Sequence, residues 1–350
     1  MQVRALVNDA FRPELVPAPS LEARAYHAAL PGYRPTPLRE LAVLARELGV
    51  ARVALKDESD RLGLPAFKIL GASWAVEQAV RSRPGIEVLV AASAGNHGRA
   101  VAHAAALRGL RCHIFLPARS VAARRAAIAS EGAEVTVVDG SYEDALVLSA
   151  VAAAAPDAIE IADVGTSETA TWVVDGYATL FAELAAEGDF DLILVPAGVG
   201  SLAAAAARFA AARRTPVVAV EPETAACLTA SLRQGAPAIV ATPGTTMAGL
   251  DCAEISAAAW PWLRDGIAGT VLVDDRETHA AMRELAREGL AIGDCGAAPV
   301  AALRALLTDD DCAGLRDRLH VSPETRVALI ATEGPTDPEG YAAVVSGATG

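Results

Sequence analysis

Lys68 heads an apolar, small-residue stretch, LPAFKILGASWAV (64–76), where burying an amine costs free energy unless something pairs with it or uses it. In a helix that starts near Phe67, a step of about 100° per residue puts Gly71, Ala72, Ala75 and Ala79 on the lysine's face. Glu77 and Arg81 fall on the opposite face. The amine therefore heads the stripe that packs inward. Such a lysine either snorkels along its stem to solvent or serves as a desolvated nucleophile and Schiff-base former. The residue alone does not decide.

Three loops that follow apolar runs supply possible partners. In AASAGNHGRAVAHAAAL (91–107) a strand ends at Ser93 and a helix begins near His97. The helix N-terminus can hold a carboxylate or phosphate, or the turn is an ordinary one with Asn96 as its cap. In LVPAGVGSLAAAAARF (194–209) Gly198 and Gly200 flank Val199, with Ser201 opening a long helix. An exposed backbone at a helix start suits a phosphate. The loop lacks the G-K-[ST] of a Walker A sequence, and Ala203 stands at the last glycine position of G-x-G-x-x-G. In VALIATEGPTD (327–337) a late strand ends at Thr332, Glu333 and Gly334, where a hydroxyl either faces a ligand or caps the turn.

The elements that must position these groups alternate along the chain. Apolar runs at 87–93, 112–117, 134–139, 191–198, 216–222, 269–275 and 326–334 read as strands. Helices are expected near 98–108, 120–131, 142–155, 171–187, 200–212, 277–289 and 297–307. Strands that are apolar throughout suit parallel sheets covered on both faces, and the repeated β-α order implies an open, doubly wound α/β fold. Ligands bind beyond the carboxyl ends of such strands. Residues 235–268, rich in Gly, Pro and Thr, form a surface or active-site excursion.

The chain of 350 residues is 53% hydrophobic, enough for a large core and two lobes. Its formal net charge of −13, with only Arg124–Arg125 and Arg213–Arg214 as basic pairs, argues against nucleic acid. Arg208, Arg213 and Arg214 break the longest alanine-rich run, so no membrane span is expected, and the first residues lack the apolar core of a signal peptide. Five scattered cysteines read as reduced thiols, and six histidines show no metal spacing. The expectation is a cytoplasmic protein without a metal.

An inward lysine, two anion-ready loops and a polar strand end together are what pyridoxal phosphate and an amino acid require. The aldehyde needs an amine, the phosphate and the substrate carboxylate need N–H donors, and the ring nitrogen needs a partner.

The segments YRPTPLREL (33–41), LKDESDRLGLPAFKILGAS (55–73), SAGNHGRAVA (93–102), DGSYEDAL (139–146), VPAGVGSLA (195–203), TTMAGLDCAE (245–254), GDCGAAPV (293–300) and ATEGPTD (331–337) resemble, in order, the fold type II (tryptophan synthase β-like) pyridoxal-phosphate enzymes. The resemblance is to diaminopropionate ammonia-lyases and, more distantly, to serine/threonine dehydratases. It implies a two-lobed α/β fold, each lobe an open, mostly parallel twisted sheet flanked by helices. Residues 1–80 and 166–350 would form the large cofactor-binding domain, and 81–165 a small mobile domain that takes the substrate carboxylate. It implies a homodimer.

The resemblance also implies roles. Lys68 forms the internal aldimine and then acts as base at Cα. Asn96 lies by the cofactor's 3-hydroxyl, and Ser93, Ala94, Gly95 and His97 surround the substrate carboxylate. Gly198, Val199, Gly200 and Ser201 cradle the phosphate. Thr332 meets the pyridine nitrogen; a hydroxyl there leaves the ring largely unprotonated, which suits β-elimination or β-replacement and disfavours transamination. The implied reaction is α,β-elimination of a β-substituted amino acid, diaminopropionate-like or serine/threonine-like, to a 2-oxo acid and ammonia. The alternatives are β-replacement, as in cysteine synthases, and a non-catalytic binding protein of the same fold. A Rossmann dehydrogenase fares poorly, because the G-x-G turn lies near residue 198.

Three departures stand out. The lyases carry an aspartate just before G-N-H-G, placed as a base for the D-isomer, where this chain has Ala94. A second acidic position aligns with Thr171, so both carboxylates are expected to be missing. The usual G-E-S-G-A becomes Gly293-Asp294-Cys295-Gly296-Ala297.

Overall fold

The structure, a computed structural model, describes residues 4–118 and 120–347. Its strands are β1 (Ala5–Val7), β2 (Leu38–Glu40), β3 (Arg52–Asp57), β4 (Val88–Ala92), β5 (Arg111–Pro117) and β6 (Glu134–Val138). They continue with β7 (Ala158–Glu160), β8 (Leu192–Pro196), β9 (Val217–Pro222), β10 (Gly269–Val273) and β11 (Arg326–Ala331). Seven form one sheet in the order β1-β10-β9-β8-β11-β3-β2, with the five inner strands parallel and both edges antiparallel. Four form a wholly parallel sheet, β6-β5-β4-β7.

The inner strands read as unbroken apolar runs because both faces are covered. Along β8, Ile193 and Val195 join the core that continues toward the smaller sheet, while Leu192 and Leu194 join the core on the far face. Ala328 and Ile330 alternate with Val327, Leu329 and Ala331 along β11 in the same way. The alanine run becomes the helix Ser201–Ala211, buried along almost its whole length. A Cβ added at Gly266 would meet Ala207 Cβ at 2.7 Å, so small residues set how closely that helix is approached.

The seven expected strands are present, six of them shortened and β5 longer by Arg111, and four more join them. β1, β2 and β7 are three residues each, too short to show a period. β3 escapes a hydropathy reading because Arg52, Lys56 and Asp57 interrupt it, yet Lys56 is fully buried. Its charge is paired: Lys56 Nζ lies 2.9 Å from Glu183 Oε2, and Arg61 Nη1 lies 2.7 Å from Glu183 Oε1, with Glu58 on the other side of the guanidinium at 2.6 Å. The helix expected over 171–187 is two helices, Glu168–Gly176 and Ala178–Ala186, divided at Tyr177. Residues 235–268 hold no strand and only one helix, Trp260–Gly266. No helix among the described residues is long and apolar enough to cross a membrane.

The lysine helix runs from Lys68 to Ser82, and Gly71, Ala72, Ala75 and Ala79 are buried as its periodicity predicts. Glu77 is buried too, against expectation. It pairs with Arg81 at 2.6 Å and with Arg108 of the adjoining helix Asn96–Arg108, so the face is packed at Glu77, while Arg81 is exposed as expected.

Candidate active site

Backbone pairing places the lysine. β3 and β11 are neighbours, with Asp57 opposite Ala331, and the match continues past their ends. The Phe67 N–H donates to the Thr332 carbonyl at 3.2 Å, and the Gly334 N–H donates to the Pro65 carbonyl at 3.0 Å. The Gly293 N–H donates to the Glu333 carbonyl at 3.1 Å. Lys68, Thr332, Glu333 and the start of the helix Asp294–Thr308 are thus stapled together beyond the carboxyl end of β11, where a parallel sheet presents its ligands.

Lys68 does not snorkel freely. Its Nζ donates to Asp163 Oδ2 at 2.8 Å, and both side chains are half-buried. Burial opposes the lysine's charge, but Asp163 and Tyr177 outweigh it and hold the ammonium well above its ordinary range. Burial likewise opposes the Asp163 charge, and His97 and Lys68 hold that carboxyl well below the usual range. His97 Nε2 lies 2.8 Å from the Ile161 carbonyl, which can only accept, so the proton is on Nε2. That leaves Nδ1 without a hydrogen-bond partner, 3.7 Å from Asp163 Oδ2. Burial lowers the His97 pKa.

Asp163 also reaches the glycine loop, since Ser201 Oγ donates to its carbonyl at 3.0 Å. Gly200 is left-handed at φ +88°, and no side chain caps the helix behind it. The first N–H groups of such a helix remain open to an anion. A Cβ at Gly198 would meet the Gly249 carbonyl at 2.7 Å and Cys252 Sγ at 3.0 Å, so the excursion over 235–268 folds back onto this loop. Val199 is held from the same excursion by the Ser256 N–H at 2.8 Å. The half-buried Cys252 thiol is pushed up to about 12 by burial.

The turn after β4 is held by its own atoms. The Gly95 N–H donates to Ser93 Oγ at 3.3 Å, and Gly98 must be glycine because a Cβ would meet the Ser93 carbonyl at 2.2 Å. Ala94, Gly95 and Asn96 are half-buried in that turn. Asn96 is not a cap: Gly95 occupies the cap position, and Asn96 Nδ2 donates to the Glu333 carboxylate. Thr332 Oγ1 and the Tyr177 hydroxyl are buried without any hydrogen-bond partner. Orphaned hydroxyls in a cleft lined by an amine and an uncapped helix start fit a polar, phosphate-bearing aromatic group.

The contacts therefore link every expected site residue into one neighbourhood. Asp163, Tyr177, Cys252, Asp294 and Glu333 were not expected there. Thr171 lies on the helix Glu168–Gly176, and the carboxylate that meets Lys68 is Asp163, in the loop after β7. A strand of only three residues hid that loop. A Cβ at Gly71 would meet Tyr177 Cε1 at 2.6 Å, so its lack of a side chain admits the tyrosine ring.

The sequence profile of a family described as pyridoxal-phosphate dependent enzyme matches residues 29–333. A diaminopropionate ammonia-lyase of Salmonella typhimurium is 34% identical over 93% of this chain and 91% of its own length. A crystal structure of the Escherichia coli diaminopropionate ammonia-lyase, in complex with an aminoacrylate–PLP azomethine reaction intermediate, superposes with a TM-score of 0.89 at 30% identity. That superposition covers 99% of this chain and 97% of the other. A biosynthetic L-threonine dehydratase of Salmonella typhimurium is 27% identical over 85% of this chain and 56% of its own length.

Proposed function

The chain belongs to the pyridoxal-phosphate dependent enzyme family and is an ammonia-lyase of the α,β-eliminating kind, and from that premise we propose that its substrate is a 2-amino acid with an amine on Cβ. The observation that carries this reading is the Lys68–Asp163 pair at 2.8 Å, a covalent anchor and a proton acceptor side by side. Diaminopropionate is the substrate named for the relatives covered over nine-tenths of their length.

When bound, pyridoxal phosphate supplies the electron sink that lets the Cα proton leave. The chain's residues do the rest. Main-chain N–H groups of Gly198, Val199, Gly200 and Ser201 bind the phosphate, and Thr332 Oγ1 meets the ring nitrogen. The turn Ser93–His97 holds the substrate carboxylate at a helix start. Lys68 anchors the cofactor and takes the Cα proton at Nζ. In the resting pair that proton-accepting capacity is blocked, because the ammonium and carboxylate hold each other charged. To act as a base Lys68 must first lose its ammonium proton, and Asp163 Oδ2 is the acceptor within reach of Nζ. Asp163 can then hand a proton to the departing β-amine. A homodimer, and a small lobe of residues 81–165 closing over the substrate, belong to the same proposal; β4 to β7 all lie in that segment.

The test is a screen of purified protein against D- and L-diaminopropionate, serine and threonine, following 2-oxo acid release. Pyruvate from diaminopropionate without an added nucleophile supports the reading. Product formed only with an added thiol or amine makes the enzyme a β-replacement catalyst, and absence of a borohydride-reducible yellow band sinks the enzyme reading. Lys68→Ala is expected to abolish turnover with the fold intact.

A further inference from the structure

Behind Asn96 lies an acidic pair, Glu333 buried and Asp294 half-buried, that the reaction above does not use. Glu333 is 4% exposed and accepts from Asn96 Nδ2. Asp294 and Cys295, on the first turn of the helix Asp294–Thr308, lie beside the same carboxylate. Ligating atoms of Asp294, Cys295 and Glu333 all lie within 4.8 Å of one another. Close packing keeps this group in place, since a Cβ at Gly296 would meet the Glu333 carbonyl at 2.8 Å. Arg124, on the helix Ala122–Ser130, is the cation that bears on both acids.

Two carboxylates that touch in a buried site cannot both stay ionised. Burial, then the Glu333 charge, push the Asp294 carboxyl up to about 7. Burial raises the Glu333 carboxyl as well; the Asn96 amide N–H donates to Glu333, which favours the charge there and leaves the shared proton to Asp294. An ionised Glu333 can only accept, which fixes the amide of Asn96 with its nitrogen toward the acid. A protonated Glu333 could face either end of that amide, and the amide could turn over.

We propose that Asp294 and Glu333 share a single proton, carried by Asp294, and that Glu333 thereby orients the Asn96 amide for the cofactor's ring oxygen, making both acids positioning residues of the elimination. This rests on the cofactor-binding role given to Asn96 above. Asp294-Cys295 stands in this chain where the family pattern has Glu-Ser.

The apoprotein is titrated with pyridoxal phosphate, and the visible absorption of the complex is followed from pH 6 to 8.5 for wild type, Asp294→Asn and Glu333→Gln. Asparagine at 294 keeps a neutral N–H donor toward Glu333, so affinity stays within about twofold of wild type, while any spectral step near pH 7 is lost. Glutamine at 333 removes the charged acceptor, so affinity falls about tenfold and the band moves. Equal damage from both substitutions, or none from Glu333→Gln, overturns the proposal. If Glu333→Gln does not fold by circular dichroism, Asp294→Asn decides alone, through its retained affinity and its lost pH step. One equivalent of co-purifying metal that Asp294→Asn releases also overturns it, since a cation and not a proton would then hold the acids together. A wild type that never binds pyridoxal phosphate sinks this proposal together with the reading beneath it, and the absent wild-type band tells the two failures apart.

Discussion

Lys68 and Asp163, 95 residues apart in the chain, meet end to end: Nζ donates to Oδ2 at 2.8 Å, with His97 Nδ1 facing the same oxygen. One carboxylate thus restrains the amine and faces the one bare imidazole nitrogen beside it. Asp163→Asn keeps the shape and removes the proton acceptor. Turnover is expected to fall about 10²- to 10⁴-fold, the usual contribution of a positioned acid or base, with the melting temperature nearly unchanged. Steady-state release of 2-oxo acid measures it, and a wild-type rate would remove Asp163 from the reaction. The freed Lys68 amine should also titrate at lower pH, because Asp163 is the main group that raises it.

At Gly200 two costs can be separated. The residue sits at φ +88°, and a Cβ would press on Leu263 Cδ1 at 2.6 Å. Gly200→Ala is expected to cost about 1–3 kcal/mol of stability through backbone strain. Gly200→Asp adds a negative charge where the phosphate binds and should also lose at least about tenfold in cofactor affinity beyond the alanine variant. Equilibrium dialysis with pyridoxal phosphate and thermal melts read the two effects. Equal affinities for alanine and aspartate would move the phosphate away from this loop.

Much of the frame was legible because β8, β9 and β11 carry unbroken apolar runs whose alternate residues enter the two cores. Lys68 was legible from helical periodicity, and the glycine loop from its place after a strand. β3 was hidden because Lys56 and Asp57 look like surface; Glu183, 127 positions further on, explains the burial of Lys56, and Arg39 and Ser59 hold Asp57. Asp163 was hidden for the same kind of reason. It follows a three-residue strand, and nothing local ties it to a lysine on another helix. Charges that pair across long stretches of chain leave no periodic trace in sequence.

Ala94 bears on stereochemistry. It is half-buried in the turn between β4 and the helix Asn96–Arg108, where the family pattern places an aspartate as base for the D-isomer. Wild type should therefore favour the L-isomer, with Asp163 and Lys68 as the acid–base groups present. Ala94→Asp should raise turnover of the D-isomer by about 10²-fold, the lower end for a correctly placed base. Paired assays on D- and L-diaminopropionate check this, and an unchanged D-to-L ratio would show that the turn does not face that side of Cα.

Stability in acid should hinge on Glu183. Burial works against its charge, but Arg61 and Lys56 outweigh burial and bring its carboxyl down to about 2, from an ordinary value of 4.5. A carboxyl lowered by folding contributes stability that is complete above its unfolded pKa and is lost as pH falls through the folded one. The window therefore runs from about pH 4.5 down to about 2. At 1.36 kcal/mol per pKa unit this amounts to about 3 kcal/mol. Glu183→Gln leaves Arg61 and Lys56 buried beside a neutral group and should cost about 3–5 kcal/mol at neutral pH. It should also flatten the acid limb, because the group that titrates there is gone. Urea melts of both proteins between pH 2 and 7 measure the difference, which should be largest at neutral pH and shrink toward pH 2. A constant difference across that range would show that Glu183 stays ionised throughout and that other carboxylates set the acid limit.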